Sequence, residues 1–208
     1  MKGIFQVKKY IPIKMISRSR FIKFYETWSE GEKEKIIERM NRLIAENPEY
    51  VDSNNYGHLC NLLTSIAMIQ VLEDTGKTSE EAENAVANAM YDFIEPQISS
   101  MKKLASLGCF VRFLKITMPL KFKKTLGYGW DVEFPKCPAD TFSMTTHKCI
   151  YQQLFTKYGM PEMTARFCKV DDILYSDLPR AEFTYTQQIG TGGSVCDYSF
   201  RKIRKNKQ

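Results

Sequence analysis

The texture of this chain changes once, at Gly127-Tyr128-Gly129-Trp130, and no other feature constrains the fold as much. Before that point apolar residues recur at three- and four-residue steps, the spacing of helices that bury one face. After it the runs are short and alternate between apolar and polar residues, as strands with one buried side do. Helices and strands segregated in this way predict an α+β fold, with an N-terminal helical layer packed on a small C-terminal antiparallel sheet that carries two short helices. A chain of 208 residues is expected to form a single domain over residues 1–208, with a helical part at 25–126, a mixed α/β part at 127–203 and a basic tail at 204–208.

In the helical part, Ser29 precedes Glu32 at capping-box spacing, and Ile36, Ile37, Met40, Leu43 and Ile44 follow before Asn47-Pro48 stops the run. Leu59, Leu62, Leu63, Ile66 and Ile69 predict a second helix that ends at Asp74-Thr75-Gly76. Thr78 and Glu81 cap a third, predicted to run through Ala85, Ala89, Phe93 and Ile94 and to stop at Pro96. From Ile98 to Lys124 there is no acidic residue, and Met101, Leu104, Leu107, Val111 and Leu114 are expected to form one apolar stripe. A basic helix of that kind suits a membrane surface or a bundle with snorkelling lysines, and the bundle is the expectation taken here.

In the mixed part, Asp131–Phe134 and Phe142–Thr146 read as strands, and Ile150–Tyr158 and Met163–Tyr175 as helices. Glu182–Gln188 and Ser194–Lys202 read as a hairpin turning at Gly190-Thr191-Gly192-Gly193, glycines that lack the phosphate-loop spacing. Period two puts Cys196, Tyr198 and Phe200 on the inward face and Asp197 and Ser199 on the other.

Hydrophobic residues make up 43% of the chain, enough for a real core. The net charge of +6 comes from three clusters, Lys8–Lys23, Lys102–Lys124 and Arg201–Lys207. Such clusters attract anions generally; a small anionic substrate is expected, and nucleic acid is not, because charge alone is a weak footprint. Lysines interrupt the N-terminus before an apolar run of signal-peptide length forms, and no later stretch reaches the roughly 18 uncharged residues of a membrane span. The protein is therefore expected to be cytoplasmic, without an integral membrane segment, and compatible with a homo-oligomer. Six cysteines without a CxxC pair predict reduced thiols.

Cys149, Cys168 and Cys196, each set apart by a structural break, together with Asp171 and His147, are the residue types that nucleophilic or metal-assisted hydrolysis uses. Cys168 and Asp171 share one helix face at i, i+3. The candidate catalytic residues are Cys168, Asp171 and Cys196, and the candidate substrate contacts are Arg166, Cys149, His147 and Asp197. Plainer roles stay open: thiols pack as small hydrophobes, His147 is satisfied structurally, and Arg166 is an ordinary helix arginine. Zinc on the three cysteines is a further alternative, although they lack the close pairing of structural zinc sites, so no metal ligands are assigned. The sequence requires no cofactor.

Taken in order, a Trp-led strand segment, Cys149 with Tyr151, Tyr158-Gly159-x-Pro161-Glu162, Cys168-x-x-Asp171, a strand with Thr184 and Thr186, and Gly193-x-x-Cys196-Asp197-x-x-Phe200 resemble the C-terminal signature of the L-2-amino-thiazoline-4-carboxylic acid hydrolase family. Thr78-Ser79-Glu80-Glu81-Ala82 is similar to that family's front half, so the resemblance spans residues 30–203. It implies a hydrolase of bacterial cysteine metabolism that opens a cyclic thiazoline amidine carboxylate to an N-carbamoyl-cysteine type product. For that reaction Asp171 is expected as general base, Cys168 or Cys196 as nucleophile or metal ligand, and Arg166 or a nearby lysine as the holder of the substrate carboxylate. Two rival readings are a non-catalytic small-molecule-binding or sensing domain with an apolar, Cys-lined pocket, and a basic adaptor that docks on anionic surfaces through residues 102–124 and the tail.

Overall fold

The computed structural model describes residues 10–51, 54–123, 126 and 128–203. The N-terminal segment through Lys9, Lys124, Gly127 and the basic tail at 204–208 lie outside the described residues. The fold is α+β, and the chain divides into two compact units, Met1–Phe93 and Ile94–Gln208, with the boundary inside a helix.

The first unit opens with two short helices that apolar periodicity is too coarse to reveal, α1 (Pro12–Ile16) and α2 (Ile22–Glu26). Pro12 stands in the first turn of α1, where a missing N–H costs nothing, and Met15, Ile16 and Phe21 are fully buried. The predicted capping box starts α3 (Glu30–Glu46): the Glu32 N–H donates to the Ser29 hydroxyl while the Ser29 N–H donates to the Glu32 carboxylate. Its buried face carries Ile36, Met40 and Leu43 and packs on α4 (Tyr56–Asp74), as does α1. Every residue of α4 from Leu62 to Ile69 is buried, so this helix is the centre of its unit.

Helix α5 (Ser79–Ala105) has the predicted Thr78–Glu81 cap but does not end at Pro96. A proline removes one hydrogen bond, and the good helix formers that follow, Met101 to Ala105, carry the helix past it. The expected stripe from Met101 to Leu114 does not form, because the chain turns at Ser106–Cys109, around Gly108, and starts again as α6 (Phe110–Phe122). Among the described residues no helix is long and apolar enough to cross a membrane.

The second unit holds a four-stranded antiparallel sheet built from β1 (Asp131–Glu133), β2 (Thr141–Lys148), β3 (Ala181–Thr184) and β4 (Cys196–Lys202), in the order β1-β2-β4-β3. Between β2 and β3 run α7 (Ile150–Lys157) and α8 (Glu162–Tyr175). The aromatic rings of this unit are in contact: Tyr151 meets Phe167 at 5.1 Å, Phe183 meets Phe200 at 4.8 Å, and Tyr175 on α8 meets Phe200 edge-on at 5.2 Å. Such pairs add about 0.5–1.5 kcal/mol each beyond the area they bury. As predicted, Cys196, Tyr198 and Phe200 are the buried side of β4.

The glycines do not form a simple hairpin turn. Pairing of β3 with β4 stops at Thr184 opposite Ser199, whereas β2 stays paired with β4 up to Thr146 opposite Cys196. The intervening chain folds into a 3-10 turn, Ile189–Thr191, packed against α8. The physical reason is Asp197: its carboxylate accepts the N–H groups of Thr186 and Gln187 at 2.8 and 2.9 Å and the Thr186 hydroxyl, taking donors that a ladder would need.

Candidate functional site

Three elements deliver the three thiols. Cys149 is the residue just before α7, Cys168 lies on α8 with Asp171 one turn further on, and Cys196 is the first residue of β4. Cys149 and Cys168 are half-buried, Cys196 is buried, and all are free thiols. The 3-10 turn seats this group. A side chain at Gly190 would put its Cβ 2.8 Å from Cys168 Sγ and 2.9 Å from backbone atoms of Thr164 and Ala165, so only glycine lets the turn approach α8. Gly192 closes the turn at φ 91°, a left-handed conformation that glycine adopts without steric cost.

Cys168 and Cys196 are hydrogen-bonded to each other, and the bond pushes their acidities apart. The Cys168 thiol is driven up, first by holding its proton in that bond and then by burial. The Cys196 thiol is held below the usual thiol range, chiefly by the hydrogen bond from Cys168, against the opposing effect of burial. The Ile189 N–H donates to Cys196 Sγ at 3.3 Å, and the Tyr198 hydroxyl adds a further hydrogen bond. Cys149 behaves differently: burial pushes its thiol up to about 11, so near neutral pH it stays protonated.

Tyr198 links the thiols to the carboxylate. Burial first, and then the negative charge of Asp171, to which its hydroxyl is also hydrogen-bonded, raise its pKa strongly. Gln188 Nε2 donates to the Tyr198 oxygen at 3.3 Å, which leaves the phenolic proton for Cys196 or Asp171. On the next turn of chemistry outward, Tyr185 is raised by burial and by a hydrogen bond to Asp172. Beside Cys149 a cleft of about 380 Å³ opens, with His147, Lys148, Gln152, Gln153, Ile189, Gly193 and Ser194 as the other lining residues.

The structure thus brings Cys149, Cys168, Cys196 and Asp171 together, and places His147 in the cleft lining, exposed and 3.5 Å from the Glu133 carboxylate. It does not bring in the other two candidates. Arg166 is two residues before Cys168, roughly 200° round the helix, and so faces away from it. Asp197 points off the thiol face of β4 and is held in the loop: burial would raise its pKa, but the Thr186 hydroxyl and the Gln187 and Thr186 N–H groups outweigh that and lower it. Sequence reasoning missed Tyr198 and Gln188 as site residues. The period of β4 carried the signal for Tyr198, since it shares the inward face with Cys196. Gln188 gave none, because a loop outside any periodic element fixes it. Among the described residues no group of three His, Cys, Asp or Glu side chains is arranged to hold a metal ion.

Fold and site together define an α+β protein in which α8 and the start of β4 bring together a thiol pair, a tyrosine and a carboxylate. The chain belongs to the L-2-amino-thiazoline-4-carboxylic acid hydrolase family, whose model matches residues 58–200. The match takes in every thiol of the site and the helices from α4 onward, and begins at residue 58 where the sequence motifs suggested 30. No curated protein and no solved structure matches the chain.

Proposed function

We propose that this protein hydrolyses a cyclic thiazoline amidine carboxylate to an N-carbamoyl-cysteine type product, with Cys196 as nucleophile. The observation that carries the reading is the setting of Cys196 Sγ, which accepts the Ile189 N–H at 3.3 Å and whose thiol is held below the usual range by its contact with Cys168. A thiolate held this way is the reactive form of cysteine. It adds to the amidine carbon, forming a C–S bond as the C=N electron pair moves to the ring nitrogen, which takes a proton. Collapse breaks the ring C–S bond, and the substrate's own sulfur leaves as a thiolate that is then protonated. Water, deprotonated by Asp171, adds to the same carbon and expels Cys196, so that one water is consumed and no nitrogen is lost. A general base in such a step contributes roughly 10²–10⁴-fold. Lys148, which lines the cleft beside Cys149, is the cation suited to the substrate carboxylate. Lys148, Gln152, Gln153 and Ser194 in the lining suit an anionic substrate better than the hydrophobic ligand of a binding-only module.

The test is mass-spectrometric product analysis of purified protein incubated with the thiazoline carboxylate, beside Cys196→Ala. Turnover is expected in the wild type alone; equal rates in both would remove Cys196 as nucleophile, and no turnover in either would remove the substrate. The pH profile adds a second check. Cys168→Ala takes away a donor that stabilises the Cys196 thiolate, so the thiol pKa rises and the acid limb of the rate moves to higher pH. Cys168→Ser retains a donor and is expected to keep the limb closer to that of the wild type.

A further inference from the structure

We propose that α6 is a membrane-surface helix that lays Phe113, Ile116 and Leu120 into the interface of an anionic bilayer while Arg112, Lys121 and Lys123 engage lipid phosphates. An ordinary surface helix has one apolar face, turned inward, and a polar face outward. α6 buries Val111 and Phe122, yet it also exposes Phe113, Ile116 and Leu120 at 48%, 55% and 63%. At 100° per residue these three fall within an arc of roughly 60°, so they make one outward stripe. The same geometry puts Arg112 and Lys123 along one side of the stripe and Lys121 along the other, all three exposed. Apolar residues flanked by cations are the arrangement of helices that lie in a bilayer interface.

Charge selects the occupant. No acidic residue occurs between Glu95 and Asp131, so the charges that α6 itself carries are all cationic. Lys115 is excluded from this count, because its amine already donates to the Pro138 carbonyl at 2.6 Å and the Cys137 carbonyl at 3.3 Å. A second copy of the chain would set these cations against their own equivalents, which is unfavourable. An anionic lipid surface complements both the charge and the apolar stripe. With 13 residues α6 is too short to span a bilayer, so the helix lies on the surface.

The experiment is co-sedimentation of the full chain with vesicles of phosphatidylcholine alone and of phosphatidylcholine with about one third phosphatidylglycerol. Binding is expected to the anionic vesicles only, and is expected to fall as salt rises from about 0.1 M to about 1 M and the screening length contracts. Phe113→Ser/Ile116→Ser/Leu120→Ser should abolish pelleting with an unchanged thermal unfolding curve. Arg112→Gln/Lys121→Gln/Lys123→Gln should weaken partitioning on the order of a hundredfold, taking about 1 kcal/mol per charge. Wild type that stays in the supernatant with anionic vesicles, or an apolar triple variant that pellets like it, overturns the proposal. So does a dimer in light scattering that the apolar variant dissociates, since that outcome gives the stripe to a second copy.

Discussion

The two units bury polar groups in opposite ways. In the first, three buried polar side chains are satisfied by the turn they stand on: Ser19 donates to the Ile16 carbonyl at 2.8 Å, Ser65 to Leu62 at 2.8 Å and Asn47 to Leu43 at 2.6 Å, while Thr64 reaches across to Met40 Sδ at 3.7 Å. The first three bonds follow from helix geometry and cost the fold little. In the second, Cys168 answers Cys196 and Asp171 answers Tyr198, across segments that only tertiary folding brings together. Burying titratable groups against one another stabilises less than apolar packing of the same volume would. The contrast teaches that the first unit is spent on stability, whereas the second gives some up to perturb the acidity of its thiols.

The sharpest way to break this comparison is to mutate one side chain from each unit and read both activity and stability. Cys196→Ser is expected to lower ring opening on the order of 10³-fold or more, with the urea midpoint nearly unchanged. If the midpoint falls and the rate does not, the thiol is packing and the contrast disappears. Leu63→Ala, in the wholly buried stretch of α4, is expected to cost about 2–5 kcal/mol in urea unfolding. Gly190→Ala would drive a Cβ into Cys168 Sγ and into unyielding backbone, which predicts a loss of about 1–3 kcal/mol together with a fall in rate. A Gly190→Ala protein as stable and as active as wild type would show that the turn does not hold the thiol pair. The smallest effect is expected from Ser29→Ala, which removes one half of a cap at about 1 kcal/mol and leaves turnover untouched.

Local chemistry was legible wherever one element decides it. The capping boxes at Ser29 and Thr78 and the inward face of β4 could be read directly, because caps and periodicity involve only residues close in the chain. Pro96 and the glycines misled for the converse reason. A proline is a stop only if the following residues do not carry the helix on, and a glycine run is a hairpin only if the ladder continues to it, which the Asp197 carboxylate prevents. Arg166 and Cys168 could have been separated on paper, since two residues along a helix do not face each other.

The sequence by itself determined the α+β composition, the capped starts of α3 and α5 and the set of thiols and carboxylates available for chemistry. Only the tertiary structure decided which of those groups meet. The approach of the 3-10 turn to α8 at Gly190, and with it the Cys168–Cys196 bond and the Tyr198–Asp171 bond, depends on contacts between elements far apart in the chain. Acidity follows from burial and neighbours, neither of which a linear pattern contains.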